Sequence, residues 1–276
     1  MNRALLLLPQ VEGADAVADH PRVKQFINVK RNRGNPPASA VAIEGTWALR
    51  AALRANVDIE SVLVCPSLFR GDETPRLVDE ARDRGAHVYP VSERVLRRIV
   101  DRDGPDGLAA VVHLRRPTFA GVDVGTTTRV VVLDRMELAG NLGAIIRCAD
   151  GAGAAAVVLT DRRVRVTHPL AVKASMGTIF TTPVIDATVD DALAWIRDHA
   201  LRIIAADPEA PSSYRGAHYN GPLALVLGSE RYGLSDQWRK HADVLVSIPM
   251  LGVADSLNVG HAAALLLYEA ITGSTA

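Results

Sequence analysis

Three short stretches in the second half of the chain combine polar side chains with glycines, as ligand-binding loops do. They are NLGAIIR at residues 141–147, GSERYGLS at 228–235 and ADSLNVG at 254–260. Each comes after a run of apolar residues that predicts a buried strand. Small residues at the carboxyl end of a strand let a ligand approach the backbone, and open α/β sheets bind their ligands at that edge. The pattern therefore predicts a ligand site at one sheet edge.

Each stretch also has a purely structural interpretation. Asn141 is suited to cap a helix, and Arg147 to face solvent on it. Ser235 and Ser256 are each suited to cap the helix that follows them. The glycines on either side of Glu230 are explained less well in this way. The ordered set of three stretches is more informative than any one of them.

The elements that must position these residues form two predicted α/β units. Residues 1–115 make a small unit, 116–128 a linker rich in Gly, Pro and Thr, and 129–276 a second unit. Apolar strands that alternate with helices predict a mostly parallel sheet covered on both faces. The strands expected in the second unit are residues 129–134, 155–160, 181–185, 201–207, 222–230 and 244–250.

Composition excludes several classes of protein. The 276 residues are 48% apolar, with a formal net charge of zero, so nucleic-acid binding can rest only on local charge clusters. The two cysteines, Cys65 and Cys148, predict neither a disulfide framework nor a metal site. The apolar run at residues 4–9 is too short for a signal peptide or a membrane span. We therefore expect a cytoplasmic protein without a membrane or metal partner.

The sequence GAGAAA at residues 151–156 matches the spacing of a dinucleotide-binding fingerprint. That fingerprint requires a strand, then the glycines, then a helix. Here the glycines follow a predicted helix and precede a predicted strand, so a helix that ends at glycine is the better interpretation. A nicotinamide-dependent oxidoreductase is the competing hypothesis from another class of enzyme.

Together, NLGAIIR, GSERYGLS and IPMLGVADSLNVG resemble the motifs of the SpoU (TrmH-like) family of RNA 2′-O-ribose methyltransferases, part of the SPOUT superfamily. The family patterns are Asn-x-Gly-x-Ile-x-Arg, Gly-x-Glu-x-x-Gly-Leu-Ser, and Ile-Pro-Met followed by Ser-Leu-Asn. The motif resemblance covers residues 129–272, whereas the first unit matches the family's small RNA-binding domain only by size and by its EGTWAL helix start. Gly260-His261 departs from the serine or alanine that many members have at position 260.

The resemblance implies a trefoil-knotted α/β methyltransferase domain, with a mostly parallel sheet, that binds S-adenosylmethionine in the knot. It also implies a homodimer with the terminal helix at the interface. The reaction would be in-line transfer of a methyl group to a ribose 2′-hydroxyl. Carried over position by position, the residues that would contact the cofactor are Ala205, Leu227, Gly228, Ile248, Met250, Ser256 and Leu257.

Four polar residues receive catalytic roles from the resemblance. Arg147 would activate the 2′-hydroxyl, and because arginine is normally protonated, we expect it to stabilise the developing alkoxide or bind a phosphate. Asn141 would position the substrate or Arg147. Glu230 would hold the second-motif loop or orient Arg147. Asn258, with Ser256, would orient the polar end of the site while capping the last helix.

The resemblance also directs attention to basic residues that could contact RNA. Residues 22–37 contain five cations and no acid, and Lys24, Lys30, Arg31 and Arg33 are the candidate phosphate contacts. A solvated, flexible N-terminus is the alternative. Arg162, Arg163 and Arg165 form a second candidate patch.

The two-unit layout resembles ribosomal RNA modifiers more than single-domain tRNA enzymes. We therefore expect 23S rRNA as the substrate, and a role in antibiotic resistance is open because some relatives methylate 23S rRNA to that end. A tRNA 2′-O-methyltransferase and a catalytically silent RNA-binding member of the fold are the alternatives.

Overall fold

The structure is a computed structural model that describes residues 20–101 and 103–272. The apolar run at residues 4–9 lies outside the described residues. The described chain divides into two compact units, one ending at Arg115 and including Thr167–Pro169, the other made of Arg116–Val166 and the residues from Leu170 on. Within these ranges, no helix has the length and apolar character that a membrane span requires.

The first unit is built on a four-stranded mixed sheet. In chain order its elements are α1 (Pro21–Arg31), β1 (Ala40–Glu44), α2 (Gly45–Arg54), β2 (Asp58–Val64), α3 (Glu73–Asp83), β3 (His87–Pro90), α4 (Glu93–Ile99) and β4 (Leu108–His113). The strand order is β1-β4-β2-β3, in which β4 runs antiparallel to both neighbours and β2 pairs with β3 in parallel.

The basic segment at residues 22–37 begins as helix α1, so the alternative of a flexible N-terminus is wrong for residues 21–31. Pro21 occupies the first turn, where backbone N–H groups have no partner within the helix, so its missing N–H costs no hydrogen bond. The His20 ring accepts a hydrogen bond from the backbone N–H of Arg22. Val23, Phe26 and Val29 are buried along one face of the helix. The spacing of these apolar residues is typical of a helix with one buried face, although the sequence analysis did not predict the helix.

The second unit contains a seven-stranded sheet in which every strand pairing is parallel. The helices and strands that follow Arg115 are β5 (Arg129–Asp134), α5 (Ala139–Gly151), β6 (Ala156–Thr160), α6 (Pro169–Ala174), β7 (Val184–Ala187), α7 (Val189–Asp198), β8 (Arg202–Ala206), β9 (Ser212–Ser213), β10 (Leu223–Leu227), α8 (Asp236–His241), β11 (Val244–Ser247) and α9 (Val259–Thr272). The order is β7-β6-β5-β10-β8-β11-β9. Every residue of β6 and β10 is buried, which means that both faces of the sheet are covered. The predicted parallel sheet is confirmed.

The GAGAAA sequence forms the end of a helix. Helix α5 stops at Gly151, and Gly153 follows with a left-handed φ of +68°. The N–H groups of Gly153 and Ala154 donate hydrogen bonds to the carbonyls of Asp150 and Ala149, respectively, at the end of the helix. Because strand β6 then follows the glycines, the order is opposite to that of a dinucleotide-binding turn.

Residues 116–128 pack against the second unit, although the sequence suggested a linker. Phe119 stacks on Trp195 with ring centroids 4.9 Å apart. Val122 and Val124 are partly buried against the same core. Apolar residues at three positions of this segment therefore have a packing role that a simple spacer does not need.

Strand β10 runs directly into a tight turn. Ser229 and Gly233 exchange two backbone hydrogen bonds of 3.2 and 2.9 Å, and Gly233 has a φ of +61°. The buried Ser229 hydroxyl accepts the N–H of Tyr232 at 3.1 Å. A Cβ at Gly228 would overlap the carbonyl of Gly233 and the nitrogen of Leu234. The two glycines around Glu230 are therefore required by the turn itself.

We expect Gly228→Ala to lower the free energy of unfolding by about 1–3 kcal/mol, because the added methyl group meets rigid backbone. Urea denaturation followed by circular dichroism measures this change. Gly216→Ala is the matched control, since no atom lies within 4 Å of its added Cβ. Equal stability of the two variants would show that the turn accommodates the added methyl group with no loss in the free energy of unfolding.

Candidate active site

The parallel sheet brings four strand ends to one edge of the second unit. Strands β5, β10, β8 and β11 are consecutive neighbours in the sheet, so their carboxyl ends lie side by side. The second stretch follows β10, the third follows β11, and the first opens the helix after β5. The sheet order thus explains how segments far apart in sequence meet.

Two hydrogen bonds connect one residue from each stretch, and a third bond extends the series within the third stretch. The Gly260 N–H donates to Asn258 Oδ1 at 2.9 Å, and Asn258 Nδ2 donates to Asn141 Oδ1 at 3.1 Å. Asn141 Nδ2 in turn donates to the Glu230 carboxylate. Each asparagine donates with its nitrogen and accepts with its oxygen, which fixes the orientation of both amides. We call Asn258, Asn141 and Glu230 the relay.

Helix capping at the site differs from the sequence expectation. Asn258 alone caps α9, because its side chain accepts the Gly260 N–H and its carbonyl accepts those of His261 and Ala262. Ser256 is exposed, and within the described residues its side chain makes no hydrogen bond. Asn141 does not cap α5, since that helix begins two residues earlier at Ala139. Its amide is therefore available to the relay.

Arg147 stands apart from the relay. It is exposed, and across the described chain no hydrogen bond or ion pair joins it to Asn141, Glu230 or Asn258. Six residues of α-helix place it about 9 Å along the axis from Asn141 and about 120° around it. The geometry thus gives no support to orientation of Arg147 by Asn141 or Glu230. Its guanidinium faces solvent, where it can meet an anion.

Cys148 is the titratable neighbour of Arg147. Burial raises the pKa of the Cys148 thiol, and the positive charge of Arg147 opposes this shift only in part. The thiol is therefore protonated near neutral pH and is not an activated nucleophile. Among the residues that the structure describes, no cluster of three or more His, Cys, Asp or Glu side chains could hold a metal ion.

A buried aspartate that the sequence analysis missed holds the second stretch in place. Asp134, the last residue of β5, accepts the Ser235 N–H at 2.7 Å and the Thr160 hydroxyl at 3.3 Å. Arg135, with a φ of +56°, donates to the Gly233 carbonyl at 3.2 Å. The available signal was an acidic residue directly after an apolar strand, since a buried charge requires partners.

The residues expected to contact a cofactor lie at or after these strand ends. Ala205 and Leu227 are buried, while Ile248, Met250 and Leu257 are partly exposed. Within the described residues, the backbone of Gly228, Ile248, Met250 and Leu257 makes no hydrogen bond to other backbone. Unpaired N–H and C=O groups beside apolar side chains suit an adenosine, which needs both an apolar wall and backbone partners.

The candidate RNA-contacting cations of the first unit fall into two groups. Lys30 is largely buried, lies 2.6 Å from Glu44 and 2.8 Å from Asp101, and donates to the Ile99 carbonyl. These contacts give Lys30 a structural role in place of the expected phosphate contact. The exposed members of the set are Lys24, Arg31 and Arg33.

The second candidate patch is also divided. Arg162 makes two hydrogen bonds to the Asp186 carboxylate, which raises the pKa of the arginine further and keeps it charged. Its guanidinium is therefore engaged within the protein. Arg163 is exposed and Arg165 is partly buried.

Comparison with known proteins gives the chain its family. The sequence model of the SpoU rRNA Methylase family matches residues 128–268, and that of RNA 2′-O ribose methyltransferase substrate binding matches residues 42–118. The chain is 30% identical to the 23S rRNA (adenosine(1067)-2′-O)-methyltransferase of Streptomyces laurentii, over 92% of this chain and 94% of that protein. It is 26% identical to the 23S rRNA (guanosine(2553)-2′-O)-methyltransferase of Bacillus subtilis, over 91% and 96% of the two chains.

A solved structure agrees with this assignment. The AdoMet-bound rRNA methyltransferase from Sinorhizobium meliloti has a TM-score of 0.81 and 28% identity, covering 91% of this chain and 94% of that one. The family match spans the strand ends, the relay and Arg147. The chain therefore belongs to the SpoU rRNA methylase family.

Proposed function

We propose that this chain transfers the methyl group of S-adenosylmethionine to a ribose 2′-hydroxyl of RNA, with 23S rRNA as the substrate class. The observation that carries the proposal is the relay, which joins one residue from each of the three SpoU motifs at a single sheet edge. The AdoMet-bound relative supports the choice of cofactor, and the two 23S rRNA methyltransferases support the choice of RNA.

The roles of the residues follow from their positions. S-adenosylmethionine supplies the electrophilic methyl group. Arg147, exposed on α5, stabilises the 2′-oxygen as negative charge develops there, and the hydroxyl proton passes to water. The relay residues act indirectly, because the hydrogen bonds among them hold the second-motif and third-motif loops against α5.

The same proposal includes a trefoil knot in the second unit and a separate function for each of the two units. Strand β10 lies between β5 and β8, and α9 returns from beyond β11 to α5, where Asn258 meets Asn141. The Arg129 side chain also donates to the Ala270 carbonyl of α9 at 2.7 Å. These contacts support a chain end that is threaded through the cofactor-binding loops. Residues 1–115 would bind RNA substrate, with 116–128 leading into the methyltransferase unit of 129–276.

We propose that the chain forms a homodimer and acts in the cytoplasm. Leu251 and Val253, on the third-motif loop, are exposed to 99% and 101%. Tyr268 on α9 is 50% exposed. Large apolar side chains this exposed beside a functional loop are typical of a surface covered by a partner.

The function is tested by incubating the protein with methyl-labelled S-adenosylmethionine and, separately, 23S rRNA, 16S rRNA and bulk tRNA. We expect label in 23S rRNA that survives alkaline hydrolysis as a dinucleotide, because a 2′-O-methyl group blocks cleavage of the adjacent phosphodiester. Label released in single nucleotides indicates base methylation and contradicts the mechanism. Label in tRNA alone would establish the tRNA alternative, and cofactor binding without transfer to any RNA would favour the silent RNA-binding protein.

Variants of α5 separate the catalytic arginine from the relay. We expect Arg147→Ala to lower kcat about a hundredfold or more, with cofactor affinity and Tm unchanged, because only a contact to developing charge is lost. Asn141→Ala should lower stability by about 0.5–1.5 kcal/mol, because the exposed Glu230 and Asn258 side chains can bond to water instead, and should weaken cofactor binding because the relay is broken. Single-turnover kinetics, calorimetry and thermal melts measure these changes.

Arg197→Ala, at an exposed arginine on α7, is the matched control for loss of positive charge. It should retain full turnover. Near-normal turnover of Arg147→Ala would remove Arg147 from the reaction.

Aspartate at the two most exposed apolar positions tests the dimer. We expect sedimentation to give twice the mass of one chain for the wild type and the mass of one chain for the Leu251→Asp/Val253→Asp variant. Association is opposed in the variant because it would bury two carboxylates. Leu170→Asp, at a position 56% exposed on α6, should remain dimeric. A monomeric wild type at micromolar concentration contradicts the proposed assembly.

A further inference from the structure

Tyr232 stands on the second-motif turn with three arginines around its ring. The guanidinium carbons of Arg231, Arg163 and Arg135 lie 5.2, 5.4 and 6.0 Å from the ring centroid. These are cation–π distances. Tyr232 is 45% exposed and is one of the exposed large hydrophobic residues of the described chain. We call these four residues the Tyr232 cluster.

The cluster carries positive charge that nearby acids neutralise only in part. Arg135 is 3.6 Å from Asp134, and Arg163 is 3.6 Å from Glu137. The side chain of Arg163 is nevertheless 58% exposed. Arg231 is exposed, and in the described part of the chain it has no ion pair. Cations gathered around one ring repel one another, and an anion bound among them would relieve that repulsion.

The turn does not need the Tyr232 ring or the charges of Arg163 and Arg231 for its own stability. Its ends are joined by the paired bonds of Ser229 and Gly233, and the buried Asp134 holds the backbone of Ser235. Arg135 contributes through its bond to the Gly233 carbonyl, so it has a structural role as well. The exposed ring of Tyr232 and the exposed charges of Arg163 and Arg231 remain without such a role.

We propose that the Tyr232 cluster binds the RNA strand beside the target ribose, with one base stacked on Tyr232 and backbone phosphates on Arg163 and Arg231. This inference rests on the proposed function. Aromatic rings flanked by cations are the usual means of holding single-stranded nucleic acid, because the ring takes a base and the cations take phosphates. Tyr232 is two residues from Glu230 of the relay, which places the bound strand at the reaction site.

The proposal has a consequence for the form of the substrate. A base can stack on a protein side chain only when it has left its neighbours in the RNA helix. The bound strand is therefore unpaired where it meets the cluster. Since every base presents an aromatic face, this contact adds affinity without selecting a sequence.

The test compares Tyr232→Phe, Tyr232→Leu and the Arg163→Gln/Arg231→Gln double variant, with Arg197→Gln as the control for charge. Affinity for an unmodified 23S rRNA transcript is measured by filter binding over a range of salt concentrations. S-adenosylmethionine binding by calorimetry and single-turnover methyl transfer are measured in parallel. The cofactor measurement shows whether each variant retains its fold at the site.

We expect Tyr232→Leu to weaken RNA binding about fivefold or more with unchanged cofactor binding, and Tyr232→Phe to retain wild-type affinity, because stacking needs the ring and not the hydroxyl. The double arginine variant should reduce the salt dependence of binding by about two phosphate contacts. Arg197→Gln should match the wild type.

Wild-type RNA affinity in both Tyr232→Leu and the double variant would overturn the inference. Affinity lost equally in Tyr232→Phe would assign the effect to the hydroxyl and also overturn stacking. These outcomes are separate from a failure of the proposed function, which would appear as absence of methyl transfer by the wild type while the binding comparison still gives its answer.

Discussion

The hydrogen bond between Asn258 and Asn141 is the contact on which the arrangement of the site depends. It joins the residue that caps the terminal helix to the first turn of α5, and the same two amides continue to Gly260 on one side and Glu230 on the other. Each bond contributes only about 1 kcal/mol to stability. Their main effect is on geometry. Because each amide donates one hydrogen bond and accepts another, the three loops are held in one arrangement relative to each other.

Backbone constraints and one buried side chain hold this arrangement in place. Gly228 and Gly233 let the chain turn on itself after β10, and Asp134 then fixes the far side of the turn through Ser235. Glu230 is thus presented to Asn141 by a loop with little freedom. A preorganised site of this kind does not have to reorganise during the reaction. Such preorganisation is the main source of electrostatic catalysis.

Much of the fold could be predicted from the sequence because the strands of a parallel sheet are apolar along their whole length, as in VVVL at 130–133 and LALVL at 223–227. The relay could not, since its bonds depend on which loops the strand order brings together. Lys30 shows the same limit for charge. A run of cations suggests an RNA contact, whereas Glu44 and Asp101, distant in sequence, bind that lysine within the fold. Helix α1 was missed because its charges concealed the buried Val23, Phe26 and Val29.

The relay also has a consequence for how the protein folds. Its two central bonds join residues that are 117 and 89 positions apart in the chain. The pairing of β5 with β10 spans a similar stretch, since Arg129 lies opposite Leu223, so closing the loops costs the sheet and the relay a similar entropy. Asn141 follows β5 and Glu230 follows β10, so pairing of these two strands already brings the two side chains close together. We therefore expect the site to form together with the central sheet.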